Sequence, residues 1–434
     1  MQSASPRRGG FLTSLSFQVL LALALGLVAG AAAQVNGLPG GAGTAQAIES
    51  LGGLWLNALR MTIVPLVFSL LVVGIASIAD AAASGRMAVK ALVVFFILLV
   101  FAIVYAFAAG FGLLALWPID AEGGQALAAG AAGGAEEVLR NVNGDGLTAF
   151  LQTLAPSNPI RAAADDAILG VVVFAIAFGF AATRLPNRLR QPMTAFFEAV
   201  SETMIVIVHW VLLAAPVGVF ALSFGVGLRT GLGAAGTLGH YISIVVLSQV
   251  GLILLLYVIV AVFGRVSPGR FAQAAAPAQV VAFSTQSSLA SLPAMVDRAR
   301  GFLGVSTATA GLVLPLAVAV FRMTSPVANL AVVLYCAQLF GVEISLTQML
   351  VGGVVAFAVS VASVGLPGQV SFFASIAPIC IAMGVPVELL PLLLAVEVIP
   401  DIFRTIGNVT ADLAAARIVE GGDATAEKEA GAGI

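Results

Sequence analysis

Long apolar runs separated by short polar stretches dominate this chain. Phe11 to Ala33, Leu51 to Ile78, Val89 to Trp117, Ala167 to Thr183, Ala195 to Gly225 and Leu238 to Gly264 are rich enough in Leu, Val, Ala, Ile and Phe to predict six membrane-length helices. Beyond Arg270 the pattern changes. Ala275 to Asp297 is interrupted by Ser284-Thr285-Gln286-Ser287-Ser288 with Ser291 and Pro293, and Val351 to Gly384 by Ser363-Val364-Gly365-Leu366-Pro367-Gly368-Gln369. Each half is too short to span alone. Two such segments in corresponding positions predict re-entrant helical hairpins near the bilayer midplane, where irregular backbone must be covered by protein or line a cavity. A full helix follows each, Val305 to Leu339 and Leu389 to Val419, so a hairpin-helix unit occurs twice as an inverted repeat. The plainer alternative is a pair of kinks whose hydroxyls join neighbouring helices.

The last helix breaks the apolar rule. Glu397, Asp401, Arg404, Thr405, Asn408 and Asp412 fall within an arc of about 100° at about 100° per residue, while Ile399, Ile402, Phe403, Ile406 and Val409 lie mostly off it. An ion at bilayer depth costs at least about 2.5 kcal/mol. The stripe therefore predicts a buried site for a charged ligand or coupled ions. An Asp401–Arg404 pair that only holds helices together is the simpler reading, but it does not require Thr405, Asn408 and a second acid.

Composition agrees with a polytopic all-α membrane protein: 60% hydrophobic, 9% charged, mean hydropathy +1.08. A net charge of −2 carries no partner information, and no nucleic-acid partner is expected. Placement of the basic residues does inform. Arg7 and Arg8, Arg86 and Lys90, Arg184, Arg188 and Arg190, Arg265 and Arg270, and Arg298 and Arg300 mark one side, which the positive-inside rule makes cytoplasmic. Gln34 to Ser50 has no Lys or Arg, and Ile119 to Asp145 reads as a low-complexity, mostly acidic extracellular loop. Phe150 to Ile160 reads as a short re-entrant piece broken at Pro156 and Pro159. Phe11 to Ala33 is long enough to be a retained first helix in place of a signal peptide. Cys336 and Cys380 lack metal-site spacing and read as core thiols, and the isolated His209 and His240 read as structural.

Ser287 and Ser288, with amides at the start of a half-helix, suit a carboxylate. Arg404 offers a planar fork for a second one, Asp401 can receive an ammonium, and Asn408 can donate. The set suits a small anionic or zwitterionic substrate with an acidic side chain. From about Leu51 to Val419 the chain resembles the dicarboxylate/amino acid:cation symporter family, which includes an archaeal aspartate transporter and the mammalian glutamate transporters. The resemblance is carried by Val64-Pro65-Leu66-Val67-Phe68 with Val72-Val73-Gly74, Gly85-Arg86 with Lys90, and Pro156-Ser157-Asn158-Pro159. It continues in Ala215-Pro216-Val217-Gly218-Val219-Phe220-Ala221-Leu222, the serine-rich tip and Gly365-Leu366-Pro367-Gly368. Most specific is D-x-x-R-T-x-x-N-V-T-x-D from Asp401 to Asp412.

The resemblance implies eight transmembrane helices plus two re-entrant hairpins, a homotrimer in the bilayer and elevator-type movement of a transport domain. It implies a cytoplasmic tail (1–10), helices 1 and 2 (11–78), helix 3 (79–117) and an extracellular loop with the start of helix 4 (118–165). Helices 4 to 6 (166–264), hairpin 1 (275–300), helix 7 (305–340), hairpin 2 (345–384), helix 8 (385–420) and a cytoplasmic tail (421–434) follow. It implies substrate contacts at Asp401 (amino group), Arg404 (distal carboxylate) and Asn408 (main carboxylate), completed by Thr405, Ser287, Ser288 and the second tip near Gly365. An acid at Asp401 favours an amino acid over a plain dicarboxylate.

The match fails where that family binds sodium. Its Asn-Met-Asp-Gly-Thr signature is replaced by Phe321-Arg322-Met323-Thr324-Ser325-Pro326, and its third-helix oxygen donors by Phe95, Leu98 and Leu99; Gln286 stands where several prokaryotic relatives have Arg. Hard cations need several oxygens. Asn408 and Asp412 alone make a weak sodium site, and Arg322 is expected to stand in as an internal cation paired with Asp412 and Asp401. Coupling then falls to protons through Glu397, Asp401 or Asp412, or is lost. No cofactor is expected. The expected activity is secondary active symport of a small acidic amino acid or dicarboxylate across a bacterial cytoplasmic membrane. Alternatives are a non-transporting sensor or anion channel on the same fold and, with neither nucleophile nor metal set to support it, an intramembrane enzyme.

Overall fold

A computed structural model describes residues 15–37, 41–83, 85–120, 123–124, 127, 157–165, 167–231, 234–362 and 368–421. Gly365, most of the 119–145 loop and both tails lie outside the described residues. The described chain is helical, with no strand among its residues: α1 Leu15–Asn36, α2 Gly41–Arg60, α3 Ile63–Ala83, α4 Arg86–Leu116, α5 Pro159–Ala164, α6 Ile168–Thr183, α7 Asn187–Leu213, α8 Ala215–Thr230 and α9 Ala234–Phe263. These are followed by α10 Pro268–Thr285, α11 Ser288–Gly301, α12 Thr307–Val320, α13 Thr324–Leu339, α14 Leu346–Ala362, α15 Gly368–Ala382, α16 Leu390–Val396 and α17 Val398–Glu420.

Four of the apolar runs read above as single helices are broken. α2 and α3 part at Met61-Thr62, α7 and α8 at Ala214, α12 and α13 at 321–323, and α16 and α17 at Glu397. Each following helix carries proline in its first turn: Pro65, Pro216, Pro326 and Pro400. A proline there has no N–H to give the carbonyl four residues back, and its ring clashes with that carbonyl, so the preceding residues leave the helix. Pro192, Pro277, Pro293, Pro315 and Pro378 sit inside helices without ending them. Proline thus permits a break and does not alone impose it. Pro159, expected to break a segment, instead opens α5, whose first turn is capped by Asn158 Oδ1 accepting from the Ile160 and Arg161 amides.

Both expected hairpin segments are paired helices, the first with longer arms than the sequence boundaries (268–301 against 275–300) and the second within them (346–382 against 345–384), its tip at 363–367 lying outside the described residues. α10 packs on α11 and α14 on α15. Their bases are tied by Arg270 Nε donating to Phe302 O at 3.0 Å and Gln348 Nε2 to Met383 O at 2.8 Å. The tip of the first turns at Gln286, in the left-handed region at φ 50°. α13 is buried on nearly every side, as a helix apolar all round must be. α10, α11, α12, α13, α9 and α4 surround α17. α1 and α8 approach most closely: a Cβ at Gly26 or Gly30 would overlap the Phe220 or Phe224 carbonyl oxygen, the small-residue packing that membrane helices use. Six runs in the described residues are long and apolar enough to cross a bilayer.

Gly407 makes a close approach at the stripe helix, because its missing Cβ leaves room for the Thr324 methyl. Gly407→Ala is expected to lower the stability of the purified protein by about 1–3 kcal/mol through overpacking. Gly311→Ala, where nothing lies within 4 Å, is expected to be neutral or mildly stabilising in the same thermal unfolding measurement.

Candidate functional site

The polar stripe is buried. Glu397, Asp401, Arg404, Thr405, Asn408 and Asp412 are all at or below 9% exposure. Arg404 organises one end: its Nη2 lies 2.5 Å from Glu397 Oε1 and its Nη1 3.4 Å from Asp401 Oδ1. The Glu397 contact is the closer of the two and joins two buried groups. Charge holds this pair. Glu397 and Arg404 lie on one face of the same helical run: the Glu397 carbonyl accepts the Asp401 amide at 2.9 Å, and seven residues are close to two turns, about 10.5 Å along the axis, a gap that the two long side chains close together.

Asn408 is engaged in the fold. Its Oδ1 accepts the Thr324 amide at 3.0 Å and lies 2.5 Å from the Thr324 hydroxyl, which also lies 2.6 Å from the Arg404 carbonyl. The single hydroxyl hydrogen serves one of these oxygens at a time. α13 has no capping side chain of its own, and Asn408 caps it from across the helix interface. Thr405 Oγ1 donates back to Asp401 O at 2.9 Å.

Arg322 sits in the unwound segment between α12 and α13, correcting its expected place near the middle of a helix. It makes no ion pair within 4 Å among the described residues, so the expected direct pairing is absent. Asp401 and Asp412 act on it through space. Asp412 is fully buried with both oxygens unpartnered. Beside the break, Phe95 stacks on Phe321 at 4.5 Å and 10°, and Leu98 and Leu99 are buried with it. This wall is hydrocarbon.

At the first tip, Ser287 Oγ accepts the Ala290 amide at 3.2 Å and Ser291 Oγ donates to Ser287 O at 3.0 Å. That leaves the amides of Ser288 and Leu289 without a partner inside α11. Neither serine bonds to the stripe. α10 bonds α17 on another face: Gln279 Nε2 donates to Thr410 Oγ1 at 2.8 Å and to Tyr257 Oη at 3.3 Å. Thr324, named in the sequence only as part of the stretch that replaces the sodium signature, belongs to this neighbourhood, and so does Tyr241, which the sequence reading does not name.

What the arrangement can do is bind: a buried guanidinium between two carboxylates, with amide and hydroxyl groups alongside and no nucleophile-base pair. Residues 15–421 match the sodium:dicarboxylate symporter family. The chain belongs to that family. It is a multi-pass membrane transporter of elevator fold type and not an enzyme. It is 26% identical over 414 residues to the proton/glutamate-aspartate symporter of Escherichia coli, covering 94% of this chain and 92% of the relative. It is 30% identical over 362 residues to C4-dicarboxylate transport protein 2 of Bradyrhizobium diazoefficiens, covering 82% and 77%. The human neutral amino acid transporter B(0) is 30% identical over 404 residues, covering 85% and 72%.

Proposed function

We propose that this protein carries small acidic amino acids or dicarboxylates into a bacterial cell by symport, moving a transport domain of both hairpins and the helices after them. Arg404 carries the reading: a guanidinium 4% exposed amid apolar helices needs an anion, and its fork suits a carboxylate. Relatives named for glutamate, aspartate and C4-dicarboxylates support a substrate with two carboxylates. Asp401 favours one that also has an ammonium. Ser288, Thr405, Asn408 and the tip near Gly365 complete the pocket in this reading.

The coupling ion is the proton. Asn408 Oδ1 is taken by Thr324 and the neighbouring wall is phenyl and leucine, so too few oxygens converge for sodium. Arg322, in the field of Asp401 and Asp412, supplies the positive charge a bound cation would bring. In this reading both termini lie on the inner side of the cytoplasmic membrane, by the distribution of Arg and Lys, and the homotrimer is what the family resemblance implies.

Thermal unfolding with L-aspartate, L-glutamate, succinate and L-alanine, each with and without Na⁺, tests this. An acidic compound at a hundred times its dissociation constant is expected to add about 2.7 kcal/mol, with no contribution from Na⁺. Stabilisation by L-alanine alone would reassign the pocket to neutral amino acids and remove the role given to Arg404.

A further inference from the structure

α9 brings further polar groups to the same neighbourhood, and they are unpartnered. Tyr241 Oη and both amide atoms of Gln249 are fully buried without a hydrogen bond, an expense of about 1–3 kcal/mol for each unsatisfied group. Their level follows from the register of α9 on α17. Ile253 lies against Gly407 beside Thr324, and Gln279 bridges Tyr257 to Thr410, so the two helices run in the same direction. Twelve residues before Ile253, about 18 Å along the axis, is Tyr241. Ten residues before Gly407, about 15 Å, is Glu397. α9 packs on both α16 and α17, and the charges of Glu397 and Arg404 act on the Tyr241 hydroxyl.

We propose that Glu397 is an internal stand-in for the substrate carboxylate, and that Tyr241 is the positioning residue that receives Glu397 when the substrate displaces it from Arg404. This rests on the function proposed above. In the empty site Arg404 is positive and Glu397 negative. When a substrate carboxylate takes the guanidinium, an anionic Glu397 left in hydrocarbon would have no counter-charge. It takes one proton from hydronium on the open aqueous side: an O–H bond forms on Glu397 as one breaks in hydronium to leave water, Arg404 keeps its proton, and the buried net charge is unchanged. The neutral carboxyl then exchanges a hydrogen bond with the Tyr241 hydroxyl, which can donate or accept. One proton enters for each substrate molecule bound.

Few other charges face Glu397. Arg404 and Asp401 do so from α17. From α9 comes Tyr241, while His240 is engaged by Tyr335 and the Trp117 carbonyl. α1 and α15 contain no Asp, Glu, Lys, Arg or His, and Arg229 of α8 pairs with Glu49.

Tyr241→Phe removes an oxygen that bonds to nothing in the empty state, so the melting temperature of the empty protein is expected to hold or rise. Affinity for L-aspartate, L-glutamate or succinate, measured by calorimetry, is expected to fall about tenfold, equal to about 1.4 kcal/mol. In infrared difference spectra of the wild type, adding the binding probe should raise a protonated-carboxyl band that is missing in Glu397→Gln and shifted in Tyr241→Phe. A band absent from the wild type overturns the stand-in. Unchanged affinity together with an unshifted band in Tyr241→Phe overturns the role of Tyr241 alone. A wild type that binds none of the three probes overturns the proposed function and the stand-in with it.

Discussion

Arg404→Ala is expected to lower uptake of aspartate, glutamate and succinate by about a hundredfold or more, because a bidentate, charge-assisted contact to a desolvated carboxylate has no substitute in the pocket. The same change leaves Glu397 and Asp401 buried without their cation, which costs about 3–5 kcal/mol when one partner of a buried pair is removed. Loss of uptake through misfolding must be separated from loss of recognition. The Glu397→Gln/Arg404→Ala double variant removes both charges of the closest pair, so it is expected to regain most of the melting temperature and none of the acidic-substrate uptake. Arg404→Lys keeps the charge and loses the fork, and its uptake is expected to lie between. Wild-type uptake by Arg404→Ala in proteoliposomes would remove the guanidinium from the substrate site.

The hairpins, the stripe and its membership in a membrane helix were legible because each depends on residue type at a regular spacing. Serines, glycines and prolines interrupt otherwise apolar runs at both tips, and five charged or amide-bearing positions on one helical face cannot be lipid-exposed. The breaks were not legible in the same way. Arg322 and Glu397 are charges inside long apolar runs, which mark a buried ion and not a break, and first-turn prolines such as Pro326 and Pro400 look the same in sequence as Pro293 or Pro315, which helices tolerate. Whether a proline ends a helix depends on what receives the freed backbone groups. At α13 the receiver is Asn408, 84 residues away. The Arg404 partner read from one-turn spacing was Asp401, whereas the closer contact is Glu397, two turns earlier on the same face. Tyr241 and Gln249 gave no periodic signal among the scattered polar residues of a long apolar helix. Only their buried, unpartnered atoms set them apart.

Proteoliposomes given an inward proton gradient are expected to accumulate the substrate, and those given only a sodium gradient to equilibrate without accumulation. The argument is one of charge placement. In this fold a coupled cation has to be neutralised by buried acids. Asp412 remains, fully buried with both oxygens free, but the positive charge acting on it belongs to the protein, at Arg322 in the unwound segment. A fixed guanidinium beside a sodium ion repels it by about 4 kcal/mol at 4 Å in an effective dielectric of about 20, and the phenyl pair of Phe95 and Phe321 supplies no ligand to offset this. Arg322→Met reverses the logic. It leaves Asp412 with no internal cation, so transport in that variant is expected to weaken and to become stimulated by external Na⁺, while the wild type ignores it. Measuring initial uptake against Na⁺ concentration at fixed pH decides the matter. Strict sodium dependence of the wild type, with several ions per substrate, would show that Asp412 binds a transported cation despite Arg322.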